Sequence, residues 1–205
     1  MAFPTTSLLD NFSGTLSNWT NSQFGDGALT IVSGAVQGPD GTHWGGAVWT
    51  NAFGPDMESW VNWSALPATT DDTGIWVRCT NSGGSPTGYT LTLQATTGNW
   101  WLTRFLAGAG SIGNLASGTQ AAAGVGDSFG LQVIGTTVTA YYKVSGGSWV
   151  VLTSQTDTNI SGTGKIGLEV FGNVQLLDNF GGGTYVPPGY GTPGKIAAVS
   201  WISPP

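Results

Sequence analysis

The sequence predicts an all-β fold, two antiparallel sheets packed as a sandwich, and three observations carry that reading. No stretch of helical length repeats its apolar residues every 3.6 positions, while many short segments alternate apolar and polar residues between turns rich in Gly, Asn, Asp and Ser. The composition suits such a chain. Of 205 residues 34 are Gly and 10 are Trp, 40% are hydrophobic and only 8% are charged, so the surface must be built largely from Thr, Ser, Asn and Gln. Third, Leu8-Leu9-Asp10-Asn11-Phe12 recurs as Leu176-Leu177-Asp178-Asn179-Phe180. First and last strands lying side by side would protect a sheet edge, and the repeat reads as the two ends of one sandwich over residues 1–184.

The elements follow in chain order. Ala28 to Val32 and Ala35-Val36 flank a Ser33-Gly34 turn and read as a strand pair. A loop of turn residues over 37–46 leads into Ala47-Val48-Trp49. In the next segment Trp60 and Asn62 fall on one face, Val61 and Trp63 on the other. Asp71-Asp72-Thr73-Gly74 marks a turn before the strongest strand. There Ile75, Val77 and Cys79 suit the core, which turns Trp76 and Arg78 to the opposite face. Residues 81–88 form a hairpin loop. Tyr89 to Gln94 alternates, with Thr90, Thr92 and Gln94 on the face away from Leu91 and Leu93, and residues 99–106 add a strand carrying Trp100, Trp101 and Arg104. Residues 107–126 are small and Gly-rich and read as an irregular crossing. A meander follows, from Phe129 to Ile134, Val138 to Lys143 and Trp149 to Leu152, with Phe129 and Trp149 as its core anchors. Residues 164–170 and 173–180 close the domain. Beyond it, residues 185–205 form an extended arm: a Pro/Gly-rich linker, then Lys195 to Ile202, an apolar run that needs a cover.

Charge narrows the partners. A net charge of −6 with five Lys and Arg offers no footprint for nucleic acid or an anionic membrane surface. No stretch is long enough to span a bilayer as a helix, and Met1-Ala2-Phe3-Pro4-Thr5-Thr6 lacks the basic and apolar regions of a secretion leader. Cys79 stands alone, which excludes an intrachain disulfide and a cysteine-based zinc site.

Three passages together resemble a known family: residues 65–91 with Asp71-Asp72-Thr73-Gly74-Ile75-Trp76-Val77-Arg78, residues 126–149, and residues 157–180 ending in Leu177-Asp178-Asn179-Phe180. Their order is similar to the concanavalin A-like, laminin-G-like jelly-roll domains. The opening Met1-Ala2-Phe3-Pro4 with Leu9-Asp10-Asn11-Phe12, and the close Asn179-Phe180-Gly181-Gly182-Gly183-Thr184, look most like minor tail and other virion structural proteins of actinobacterial phages. The resemblance implies a non-enzymatic virion module, made in the host cytoplasm without a leader. Its expected partners are other virion proteins, with self-association into a homo-oligomer. A carbohydrate-binding lectin module that recognises the host envelope is the alternative.

The candidate chemistry divides by residue type. Glycoside hydrolases of this fold need two carboxylates across the scissile bond. This chain has only Glu58 and Glu169 and lacks the Glu-x-Asp-x-(x)-Glu strand of the related glucanases, so no enzyme is expected. His43 has no nucleophile pattern near it. A glycan site needs aromatic faces with amide and hydroxyl partners. Trp76, Arg78, Gln94, Trp101 and Arg104 could share one concave face and supply it. Asp10, Asn11, Asp178 and Asn179 would converge if the end strands are neighbours, and their oxygens suit a structural Ca²⁺. Turn capping is the competing explanation. In the arm, Ile196, Val199, Trp201 and Ile202 are expected to dock on another subunit, with Trp201 as anchor, or on the chain's own sandwich.

Overall fold

The computed structural model describes residues 3–80, 85–107 and 111–187. Among them are fifteen strands and no helix. In chain order these are β1 (Leu8–Asp10), β2 (Trp19–Gly25), β3 (Thr30–Val32), β4 (Ala35–Gln37), β5 (Trp44–Trp49), β6 (Met57–Ala65), β7 (Asp72–Thr80) and β8 (Thr87–Gln94). The remainder are β9 (Asn99–Leu106), β10 (Ser111–Thr119), β11 (Ser128–Ile134), β12 (Thr137–Lys143), β13 (Val150–Thr156), β14 (Lys165–Phe171) and β15 (Leu176–Thr184). One sheet runs β13-β12-β11-β6-β15-β4-β3, with β1 added on β15, and the other runs β10-β9-β8-β7-β14-β5-β2. All strand pairs are antiparallel.

Alternation sends one set of side chains from each sheet into a shared core. Val61, Trp63, Phe129, Leu131 and Val133 enter from the eight-stranded sheet. Ile75, Val77, Leu91, Leu93, Leu102, Ile166 and Leu168 enter from the seven-stranded one. The repeated pentapeptide does what its placement suggests: β1 lies against β15, with Leu8 opposite Gly181 and Asp10 opposite Phe180. The two copies' phenylalanines, Phe12 and Phe180, are both fully buried, and their rings lie 5.8 and 4.8 Å from that of Trp19.

Three local expectations are corrected. Residues 107–126 are not simply an irregular crossing, because Ser111–Thr119 pairs along β9 and forms the edge of the seven-stranded sheet. Its small residues carry little strand propensity, and pairing supplies what propensity lacks. Trp149 is not a core anchor. It precedes β13, is partly exposed, and meets Phe3 edge-on at 4.8 Å with Lys143 5.9 Å above its ring, whereas Phe129 is fully buried as expected. The third correction concerns Arg78 and Cys79. Arg78 has φ +50°, and the register between β7 and β8 slips between Val77 and Thr80. That extra residue breaks the period of two. Arg78 swings inward, and Cys79 joins Trp76 and Val48 on the outer side.

The outer face of the eight-stranded sheet is partly covered by the chain's own first residues. Phe3 stacks on Tyr141 at 4.0 Å and occupies the space over Gly130, where a Cβ would fall 2.3 Å from the phenylalanine ring. The Thr6 amide donates to Glu58 Oε1 at 2.7 Å, the Thr5 amide shares that oxygen, and Gln132 Nε2 donates to Oε2 at 2.8 Å. The outer face of the seven-stranded sheet holds the site described next.

Candidate functional site

Three adjacent strands build a shallow pocket of ≈ 300 Å³, lined by Asp72 of β7, Thr90, Thr92 and Gln94 of β8, and Trp101, Thr103 and Phe105 of β9. The lining residues of β8 are all even-numbered and those of β9 all odd-numbered, as period-two geometry requires. Register then sets the rows. Asp72 stands opposite Gln94. Gly74 faces Thr92, which faces Trp101. Trp76 faces Thr90, which faces Thr103. Cross-strand neighbours of this kind lie about 4.5–5.5 Å apart, so one indole is flanked by hydroxyls on its own strand and the next. Trp101 is partly exposed, whereas Trp76 is buried beneath Phe105, their rings 4.9 Å apart.

Glu169 of β14 adjoins the pocket through Thr90 and Thr92. It stands opposite Gly74, in the row that continues through Thr92 to Trp101. Its side chain lies across Gly74, where a Cβ would come within 2.5 Å of Oε1, so only glycine leaves the carboxylate room. The Thr90 and Thr92 hydroxyls both donate to Oε1 at 3.2 Å. Burial pushes the carboxyl up to about 7 against the hydrogen bonds of Trp76, Thr90 and Thr92, and the charge of Asp72 adds to the rise. Asp72 is itself raised, first by burial and further by Asp71, against a hydrogen bond with Gln94. Its Oδ1 is buried and has no hydrogen-bond partner among the described residues.

Of the five residues expected to share a glycan face, the structure brings together Trp76, Gln94 and Trp101. Arg78 and Arg104 leave the set. Arg78 is buried and donates from Nε to the Pro55 carbonyl at 2.8 Å, from Nη1 to Ile160 at 2.7 Å and from Nη2 to Gly135 at 2.8 Å. Arg104 stands three residues from Trp101, which on a strand is the opposite face. It pairs with Asp157, which also accepts from the Tyr89 hydroxyl at 2.8 Å. Burial opposes ionisation of Asp157, but the Asn159 amide, Tyr89, the Asn159 side chain and Arg104 outweigh it and lower the carboxyl. Both arginines therefore hold the loop between β13 and β14. Asp72, Thr103, Phe105 and Glu169 join the site unannounced. Thr103 and Phe105 follow from the alternation that starts at Trp101, but Asp72 and Glu169 depend on register.

The end-strand Asx residues come near one another through β1 and β15, yet their oxygens are spent locally. Asp10 Oδ1 accepts from the Phe12 amide and Oδ2 from Trp19 Nε1, each at 2.8 Å. Asn11 accepts from the Ser13 amide and hydroxyl, at 3.2 and 2.8 Å. Asp178 accepts from the Asn179 amide at 2.7 Å and its side chain at 3.1 Å. Calcium needs six to eight oxygens turned on one point, and these cap turns instead. Among the described residues no group of three or more His, Cys, Asp or Glu could hold a metal. Ile196, Val199, Trp201 and Ile202 lie outside the described residues.

No family model matches the chain, and no curated protein matches it in sequence. Solved structures do. The carbohydrate-binding module CBM66 from Bacillus subtilis superposes with a TM-score of 0.64 at 15% identity, over 86% of this chain and 99% of that one. The VIP36 exoplasmic/lumenal domain, in a Ca²⁺/Man3GlcNAc-bound form, gives 0.63 at 11% identity over 87% and 88%. A Bacillus subtilis protein of unknown function with a galectin-like fold gives 0.65 at 9% identity over 89% and 99%. The fold is the galectin-like, concanavalin A-like jelly-roll sandwich. At these identities the likeness is one of fold.

Proposed function

We propose that this chain is a carbohydrate-binding module whose site is the outer face of the seven-stranded sheet around Trp101. One observation carries the reading: a partly exposed indole stands in register with hydroxyl, amide and carboxylate groups across three strands. Sugars are held by this combination, an apolar ring face against an aromatic one with short polar groups fixing the hydroxyls. Two of the similar folds, CBM66 and VIP36, are a carbohydrate-binding module and a domain solved with bound Man3GlcNAc, which supports the reading by analogy of fold. The reading is one of binding. Of the two glutamates, Glu58 lies on the other sheet, fully buried and engaged by Thr5, Thr6 and Gln132. Membership of a virion rests on the sequence resemblance.

Trp101→Ala is the decisive variant, because Trp76→Ala would excavate a buried ring and confound binding with stability. On a glycan array or bacterial cell-wall polysaccharide, Trp101→Ala should weaken binding at least about tenfold, or ~1.4 kcal/mol, with an unchanged melting temperature. Full binding by both Trp101→Ala and Gln94→Ala would remove this face from the function.

A further inference from the structure

The charges around the pocket say what kind of glycan it takes. One carboxylate lines it, Asp72, a second, Glu169, lies behind the lining hydroxyls of Thr90 and Thr92, and no Lys or Arg lines it among the described residues. Arg78 and Arg104 are turned into the core side. Lys143 sits over Trp149 on the other sheet. Lys165 shares the outer face but stands four residues along β14 from Glu169, about 13 Å away at strand rise. The fifth cation, Lys195, lies outside the described residues.

The acids are also placed to receive donors. Glu169 reaches over Gly74 to the Thr92 hydroxyl, one strand from Trp101 and in the same row. Asp72 lies one step along the same face and presents a buried Oδ1 that nothing in the described protein satisfies. An unsatisfied buried acceptor is costly, more so when charged, and a ligand that turns the carboxylate and donates to it recovers that cost. Resting on the carbohydrate-binding reading above, we infer that this pocket selects glycans bearing a free amine over their N-acetylated counterparts and rejects uronic acids and phosphorylated sugars. An ammonium meets the Asp72 carboxylate through charge-assisted hydrogen bonds, the field of Glu169 from behind Thr90 and Thr92, and the face of Trp101 through its quadrupole. An acetamide loses the charge, and an acidic sugar meets like charge with no cation to offset it. Both carboxyls are raised, first by burial, with the charge of Asp71 adding to the rise of Asp72 and that of Asp72 to the rise of Glu169.

The test titrates the intact protein with a β-1,4-linked glucosamine tetramer, its fully N-acetylated form and tetragalacturonate, near neutral pH and at low ionic strength. The amine form should bind about tenfold more tightly than the acetylated one, and the galacturonate should not bind. That preference should shrink as salt rises. In Asp72→Asn and in Glu169→Gln the ratio of the two affinities should fall towards one, whatever the absolute affinities. Equal wild-type affinities, or binding of the galacturonate, overturns the selection. If all three probes fail while a neutral polysaccharide binds and needs Trp101, the amine preference is wrong and the carbohydrate-binding reading stands. If nothing binds through Trp101, both fall.

Discussion

Removing the Arg78 side chain should cost stability and leave glycan binding alone, and the size of the loss can be worked from its three acceptors. Arg78 is 2% exposed, and its guanidinium donates to the carbonyls of Pro55, Gly135 and Ile160, with Asp56 Oδ1 3.7 Å from Nη2. Arg78→Ala leaves three carbonyls without their donor. The bond to Ile160 is buried, while Pro55 and Gly135 lie on exposed turns where water can replace the lost group. An orphaned buried acceptor costs about 1–3 kcal/mol, and a water-replaced bond about 1 kcal/mol. The sum is about 3–5 kcal/mol, in the range for breaking one side of a buried charged contact. For a domain of this length each kcal/mol lowers the melting temperature by about 2–4 °C, so the midpoint should fall by roughly 6–20 °C. Arg78→Lys should recover only part, since one ammonium cannot span three acceptors held in a fork. The assay is thermal and urea unfolding followed by tryptophan fluorescence, with glycan titration well below the midpoint. A midpoint within about 2 °C of wild type would refute the reasoning. So would a fully folded variant with weakened binding, which would return Arg78 to the ligand face.

Two further perturbations separate core from surface and acid from base. Phe129→Ala should cost about 3–5 kcal/mol as a fully buried ring, and Trp149→Ala only about 1 kcal/mol, because its partly exposed ring loses little beyond the contact with Phe3; comparable urea midpoints would contradict the burial assigned to each. Glu169 supplies a pH signature: with its folded carboxyl at about 7 against 4.5 ordinarily, the folded state binds the proton more tightly, so this residue's contribution is favourable below about 4.5 and is lost as pH rises through 7. Glu169→Gln should therefore gain stability relative to wild type between those limits. A wild-type minus variant difference that is flat with pH would show that Glu169 ionises freely.

Much of the sandwich was legible because its strands are simple. Tyr89 to Gln94 and Val61 to Trp63 obey strict alternation, and each faces as its parity says. The same rule, applied along β9, puts Trp101, Thr103 and Phe105 on a common side and turns Arg104, at an odd spacing from Trp101, to the other, against the expectation that Arg104 shares the glycan face. Arg78 was not legible. A left-handed backbone usually announces itself as Gly or Asn, and here an arginine adopts it because three carbonyls await its guanidinium on the inner side. Ser111–Thr119 was hidden for another reason: residues that small take strand form from their partner on β9.

By itself the sequence determined the all-β class, the pairing of the two strands that carry the repeated pentapeptide, the neutral polar surface and the lack of a cationic footprint, because these follow from local alternation, turn chemistry and composition. The tertiary structure alone decided which carboxylates share the outer face with Trp101. Asp72 and Glu169 are 97 positions apart in the chain, and both lie on the same outer face only because β14 and β8 pair on either side of β7 in one register. Register between distant strands is an outcome of packing the whole core, since a slip of one residue would send every side chain of a strand to the other face.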